Sequence, residues 1–117
     1  MNADSVYKIT EAYKTPYENP IVLNINDIVI LGKKDEKWDG WIWAENKTHK
    51  GWIPIQIVNI LEENKGRILE FYSAKELNVN VGDFIKKIKT LNGWTWVKNI
   101  QTLEEGWIPN EIIEQSR

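Results

Sequence analysis

Apolar residues along this chain come in short runs of Val, Ile and Trp that alternate with polar positions and are broken by single Gly, Asn and Asp residues. Alternation with period two predicts β-strands with one buried face, and the near absence of a helical repeat argues against helices. The pattern predicts strands at 6–10, 27–33, 41–46, 50–53 and 57–61, and again at 67–71, 83–89, 94–99, 105–108 and 112–114. Side chains alternate across a strand, so Trp41 and Trp43 share one face while Ile42 and Ala44 share the other. Trp94 and Trp96 oppose Thr95 and Val97 in the same way, Trp52 opposes Ile53, and Trp107 opposes Ile108. A small all-β unit has room inside for Ala, Val and Ile but not for several indoles, which puts the tryptophans on the outer face. The expected interior is Ile21, Leu23, Val29, Leu31, Ala44, Ile53 and Val58, with Leu77, Val79, Ile85, Val97, Ile108 and Ile113 further along.

Three blocks occur twice, in the same order. Gly51-Trp52-Ile53-Pro54 returns as Gly106-Trp107-Ile108-Pro109 at an offset of 55, and Gly40-Trp41-Ile42-Trp43 returns as Gly93-Trp94-Thr95-Trp96 at an offset of 53. Leu23-Asn24-Ile25-Asn26-Asp27 returns as Val79-Asn80-Val81-Gly82-Asp83 at an offset of 56. Nearly constant offsets describe a duplicated unit with small loop insertions. The charged stretch Glu62-Glu63-Asn64-Lys65-Gly66 reads as a turn between two strands and sets the expected boundary, giving domains 1–62 and 63–117. Five short strands per copy cannot build a sandwich with two full faces. The expected fold is therefore all-β, two small strongly bent barrels in tandem, with Pro54 and Pro109 ending their ladders because proline lacks a donor.

Composition narrows the function. The chain has 117 residues, 15 basic against 17 acidic, and a net charge of -2, so it lacks the electrostatic footprint of a nucleic-acid binder. Met1-Asn2-Ala3-Asp4-Ser5 has neither the basic nor the apolar stretch of an export signal, and no apolar run approaches the roughly 20 residues that span a bilayer. A cytoplasmic location without membrane contact is expected. Cysteine is absent and His49 is the single histidine, placed between Thr48 and Lys50 in a polar hairpin tip. No nucleophile with a base, carboxylate pair, phosphate loop or metal cluster is visible, so neither catalysis, cofactor nor metal is expected. Asp27 and Asp83 each end a turn before a strand, where a carboxylate bonds backbone amides.

Seven tryptophans remain to be explained, six of them in the repeated blocks and Trp38 without a counterpart. Six outward indoles at about 150 to 250 Å² each amount to on the order of 1,000 Å² of aromatic surface, more than a monomer leaves open without use.

The Gly-Trp pairs, the acidic-ended turns and the Gly-Trp-Ile-Pro blocks make each copy resemble a Src-homology-3 (SH3) domain, of the variant kind found in bacteria. The resemblance runs from about Val6 to Ile60 and from Arg67 to Glu114. It implies a shallow aromatic groove for proline-rich peptides in polyproline II form. Its groove residues would be Trp41, Trp52 and Pro54 in the first copy and Trp94, Trp107 and Pro109 in the second. The family's first-strand tyrosine would be Tyr13 or Tyr17 in the first copy and Tyr72 in the second. Ile57 and Ile112 stand where the family has a further tyrosine.

The first copy surrounds Trp41 with Asp35, Glu36, Asp39 and Trp38, a set able to take a basic side chain by ion pairing and cation–π contact. The loop before Trp94 has no acid, which favours the first copy as the binding one. Lys87 falls where the family buries an aliphatic, a departure that a β-bulge would explain. Two readings follow: a non-catalytic module recognising a peptide or protein segment, proline-containing and basic, through a Trp-lined groove; or a structural protein whose Trp surfaces, Trp43 and Trp96 first, are buried between the repeats or in a homodimer.

Overall fold

The computed structural model describes residues 5–115, and among them it contains strands and two 3₁₀ turns but no α-helix. The strands are β1 (Val6–Lys8), β2 (Val22–Leu23), β3 (Ile28–Lys34), β4 (Trp41–Glu45), β5 (Lys50–Pro54), β6 (Val58–Ile60), β7 (Lys65–Ile68), β8 (Tyr72–Ser73), β9 (Phe84–Leu91), β10 (Trp94–Asn99) and β11 (Glu105–Pro109). Ile55–Ile57 and Asn110–Ile112 form the 3₁₀ turns, each directly after the proline that ends a strand. Strands β2 and β8, two residues each, lie in stretches where no alternation was long enough to signal them.

The chain divides into two compact units, and the division does not fall at the repeat boundary. A central unit is the continuous stretch Asn19–Lys75, and a terminal unit joins Met1–Glu18 to Glu76–Arg117. The central unit contains a five-stranded sheet in the order β5-β4-β3-β7-β6 and the two-stranded pair β2-β8. The terminal unit contains the sheet β1-β9-β10-β11, extended beyond β1 by an antiparallel bridge between Ile9 and Ile113. The sheets are open, so the closed barrels expected from the strand lengths are corrected to open sheets.

The expected break at 62/63 is corrected for a local reason. Glu63 and Asn64 both adopt positive φ (59° and 60°), and Lys65 N–H donates to the Glu62 carbonyl at 3.2 Å. Two successive left-handed residues make the tight turn that matches strand twist, so β6 and β7 are the arms of one hairpin inside the central sheet. The turn was legible; its place within a unit was not.

A consequence is that the first strands are exchanged between the repeats. β1 pairs with β9 through Val6–Lys86, Tyr7–Ile85 and Lys8–Phe84, whereas β7 pairs with β3 through Ile28–Arg67, Val29–Gly66 and Ile30–Lys65. Ile28–Ile30 and Phe84–Lys86 are equivalent in the duplication, so β1 and β7 occupy the same slot. Each slot is filled by the strand that belongs, by sequence, to the other copy.

Every residue expected inside is buried, from Ile21 and Leu23 at 0% exposure to Leu31 and Val58 at 7%. The terminal core adds Ile9 and Ile112 to Leu77, Val79, Ile85, Val97, Ile108 and Ile113, with Tyr7 and Tyr13 packed against it. Asp27 Oδ2 accepts from Asn24 N–H at 2.8 Å and Asp83 Oδ2 from Asn80 N–H at 2.9 Å, closing the turns that aim β3 and β9. Both sheets carry a register shift at the same place, between Leu31 and Lys34 on β3 and opposite Trp96/Val97 on β9. Lys87, equivalent to the buried Leu31, is exposed, and its ammonium lies 4.1 Å from the centre of the Tyr7 ring.

The glycine of each Gly-Trp-Ile-Pro block answers to packing. A Cβ on Gly106 would lie 2.8 Å from the Leu77 backbone nitrogen, and one on Gly51 would lie 3.3 Å from Ile21 Cγ2. These close approaches fit the edge strands β5 and β11 against the segments leading into Leu23 and Val79.

Candidate functional site

In the central unit β4 and β5 set Trp41 opposite Pro54 and Trp43 opposite Trp52. The Trp43 and Trp52 rings meet edge to face, with centroids 5.2 Å apart and planes at 77°, and Trp43 Nε1 donates to Glu45 Oε2 at 2.8 Å. Both indoles are half-buried, and Gly32 lies against Trp43, a Cβ built on it falling 3.0 Å from Trp43 Cδ1, a tight contact with the indole. Trp41 is 6% exposed and Pro54 is fully buried, so these two form the base of the surface rather than its face. Tyr72, on β8 opposite Leu23, is buried with its hydroxyl 3.5 Å from the Trp52 carbonyl.

The loop before β4 is tied to itself. Asp35 N–H donates to the Trp41 carbonyl at 2.9 Å, and Asp35 Oδ1 accepts from the N–H of Lys37 at 2.8 Å and of Trp38 at 3.1 Å. Asp35 thus organises the loop, leaving Glu36 and Asp39 exposed and Trp38 half-buried. The Lys37 ammonium is 5.9 Å from the Trp38 ring.

The terminal unit repeats this frame, with Trp94 opposite Pro109 and Trp96 opposite Trp107. Trp96 and Trp107 meet edge to face at 5.5 Å and 81°, and Trp96 Nε1 donates to Glu105 Oε1 at 2.7 Å. Trp107 is 6% exposed and Pro109 is buried, whereas Trp94 is half-buried. Tyr13 stands edge-on to Trp94, with centroids 5.9 Å apart and planes at 79°. Its backbone exchanges hydrogen bonds with Val79, and its hydroxyl donates to Glu76 Oε1 at 2.5 Å, which also accepts from Thr15 Oγ1 at 2.8 Å. Burial, followed by the hydrogen bond to Glu76 and its negative charge, pushes the Tyr13 phenol well above the ordinary tyrosine value. Behind Trp94 the β10 position equivalent to Ile42 is Thr95, whose hydroxyl donates to Asn110 Oδ1 and lies 3.0 Å from Thr90 Oγ1.

The exchange of first strands redistributes the expected site. Tyr72 was assigned beside Trp94 and Trp107; it sits instead in the unit of Trp41 and Trp52. Tyr13, expected in the first copy, stands edge-on to Trp94, and Tyr17 is exposed. Ile57 and Ile112, at the positions of the family's further tyrosine, are buried at 3% and 5%. Glu76 is not legible as an acid near Trp94, since it lies 18 residues before it and reaches the pair through the Tyr13 hydroxyl. The signal lay in spacing: Tyr13 and Tyr72 are equivalent tyrosines, and Glu76 closes the segment that crosses opposite Tyr13.

His49 N–H donates to Asn46 Oδ1 at 2.8 Å and its ring Nδ1 is 2.9 Å from Thr48 Oγ1, so it serves an exposed hairpin. Among the described residues, no group of three or more His, Cys, Asp or Glu is placed to hold a metal ion, and no helix is long and apolar enough to cross a membrane. What the two surfaces share is a tyrosine, two edge-to-face indoles and a buried proline on a sheet edge.

Residues 6–61 match the family model described as Variant SH3 domain. SH3 domains are in general non-catalytic modules of protein interaction. The matched stretch begins at β1 and ends just after β6, so it spans the first sequence copy, including the strand that the fold places in the terminal unit. No curated protein matches the chain.

Proposed function

We propose that the chain is a non-catalytic binding module made of two SH3-like units in tandem, each recognising a protein or peptide segment that contains proline and a basic residue. The observation that carries this reading is the recurrence of one constellation, Tyr72 with Trp41, Trp52 and Pro54 and Tyr13 with Trp94, Trp107 and Pro109. Trp52 and Trp94, the half-buried indoles of the two constellations, offer slots for a polyproline II ligand, whose low conformational freedom keeps the ordering cost small. A basic ligand side chain would meet Glu76 in the terminal unit, or Glu36 and Asp39 in the central one.

The terminal unit is the better equipped of the two. Trp94 is half-buried where Trp41 is covered, and Glu76, accepting from the Tyr13 and Thr15 hydroxyls, brings a carboxylate beside the edge-to-face pair. The burial of Trp41 and Trp107 favours a packing role for those two side chains, which is the part of the structural reading that the geometry supports.

The test is a screen of basic proline-rich peptides against the full chain, followed by amide and indole chemical-shift mapping. Shifts are expected at Tyr13, Thr15, Glu76 and Trp94, weakening as salt rises because exposed charge pairs are screened beyond about 8 to 10 Å. Trp94→Ala should weaken binding by about 2 kcal/mol or more, the size of an interface hot spot. An absence of hits, or shifts that avoid both aromatic surfaces, would overturn the reading.

A further inference from the structure

In the five-stranded sheet of the central unit Val29, Leu31, Ala44, Ile53 and Ile68 are buried in the core, so alternation places Ile28, Ile30, Glu45, Lys65 and Arg67 on the outer face. Ile28 and Ile30 are neighbours on that face and are 50% and 51% exposed. Gly32 continues their line along β3, and its missing side chain is replaced by the Trp43 indole that lies against it. A sheet face left to water is polar along its strands. The fold does not call for isoleucine here, since the residue equivalent to Ile30 in the terminal unit is Lys86.

Register gives this apolar line a charged frame of a particular kind. Ile30 has Glu45 opposite it on β4 and Lys65 opposite it on β7. One acid and one base thus flank the same residue at the same level, on opposite sides. A two-fold axis running along β3 between two such faces would set Ile30 on Ile30, Ile28 on Ile28, and each Glu45 on the Lys65 of the other copy. Glu45 accepts from Trp43 Nε1 through Oε2 and has Lys50 opposite it, which holds the carboxylate in place; with room for about four hydrogen bonds it can still receive an ammonium. The equivalent row of the terminal unit reads Lys98, Lys86, Val6, and the same axis would set no acid on a base there.

We propose that the outer face of the central sheet is a self-association surface, on which a second copy of the chain packs sheet to sheet about a two-fold axis along β3. Five strands at about 4.8 Å spacing, over about five residues at roughly 3.3 Å each, give on the order of 400 Å² of sheet per partner. That is about half of the roughly 800 Å² per partner of a standard interface, so the dimer is a weak one.

The experiment is sedimentation equilibrium on the full chain, with dissociation expected between about 1 μM and about 1 mM. The association should weaken as salt rises, because its charge pairs sit at the rim of the face. Ile30→Lys installs the residue that the equivalent slot already holds in the terminal unit, and should raise the dissociation constant roughly tenfold or more by setting two ammonium groups against each other across the axis. Glu45→Lys alone and Lys65→Glu alone should each do the same. An equimolar mixture of these last two variants should associate again: the base introduced at 45 meets the acid introduced at 65, and the natural Lys65 of the first meets the natural Glu45 of the second. Recovery on mixing is not open to a misfolded variant or to association through another face. A basic proline-rich peptide should bind the Ile30→Lys variant as it binds the natural chain, so the dimer and the aromatic grooves are tested apart. A natural chain that stays monomeric up to about 1 mM, an Ile30→Lys variant that associates unchanged, or a mixture no more associated than its components would overturn the proposal.

Discussion

Replacing Ile9 by Ala tests the exchange of first strands. Ile9 is 0% exposed, donates its N–H to the Asp83 carbonyl at 2.8 Å, and accepts at its own carbonyl from Gly82 N–H at 2.9 Å. Truncation to Ala leaves those backbone bonds in place and removes three buried carbons, a transfer loss of about 2.4 kcal/mol at roughly 0.8 kcal/mol each. The cavity left among Leu77, Val79 and Ile85 raises the total to about 3 to 4 kcal/mol, inside the usual range for such truncations. That is a large part of the roughly 5 to 15 kcal/mol of a whole domain. At about 1.4 kcal/mol per tenfold, native-state amide exchange should speed up by roughly a hundredfold or more in β9 and β10. The amides of β3 and β4 should change little. Ile68→Ala, at the equivalent slot of the central sheet, should produce the reverse pattern. If Ile9→Ala instead loosened β3 and β4 and spared β9 and β10, β1 would belong with its own copy and the exchange would be refuted.

Two further outcomes follow from the packing and from the Tyr13 hydroxyl. Gly106→Ala should cost more than Gly51→Ala, because the new methyl meets rigid backbone at 2.8 Å in the first case and a side chain that can yield at 3.3 Å in the second. Overpacking of this kind costs about 1 to 3 kcal/mol, and urea midpoints in the opposite order would contradict the close approach at Glu76–Leu77. Tyr13 resists ionisation in the folded chain through burial first and Glu76 second, so its contribution to stability is intact below the ordinary tyrosine value of 10.0 and is lost as pH rises above it, where the unfolded chain ionises. Glu76→Gln should bring the Tyr13 phenol part of the way back toward 10.0 and shrink that alkaline loss; an unchanged titration, read by phenolate absorbance, would remove Glu76 as a cause.

Strand positions and the core were legible because they depend on alternation, which is local. Ile42, Ala44 and Ile53 point inward for the same reason that Trp41, Trp43 and Trp52 do not, and no knowledge of partners is needed to see it. The burial of Trp41 was not legible, since an outward side chain can still be covered by its surroundings. Pairing is not local either. The duplication makes β1 and β7 near-equivalent candidates for both slots, so sequence similarity between the copies hides which strand serves which sheet. The two-residue turn at Glu63 and Asn64 decides it in one half: a hairpin that tight obliges β7 to lie beside β6, within the central sheet. Once β7 fills the place next to β3, β1 is left to pair with β9.

That constraint reaches the candidate sites. Tyr72 follows β7 by four residues and Tyr13 follows β1 by five, so each tyrosine travels with its strand into the unit where the strand pairs. Each aromatic constellation therefore draws its tyrosine from one sequence copy and its tryptophans from the other. A single SH3-like copy cut out at the repeat boundary would hold Trp41 and Trp52 without Tyr72, and lack β7 beside β3, so both the sheet and the aromatic surface would be incomplete. The continuous segment 19–75 keeps all of them, since its strands pair only among themselves. The terminal unit has no such contiguous equivalent: its Tyr13 and Glu76 are 63 residues apart in sequence yet share a hydrogen bond. The Tyr13–Trp94 surface proposed for the basic proline-containing ligand is thus assembled from both ends of the chain, which is why its binding must be sought in the full chain and not in a dissected second copy.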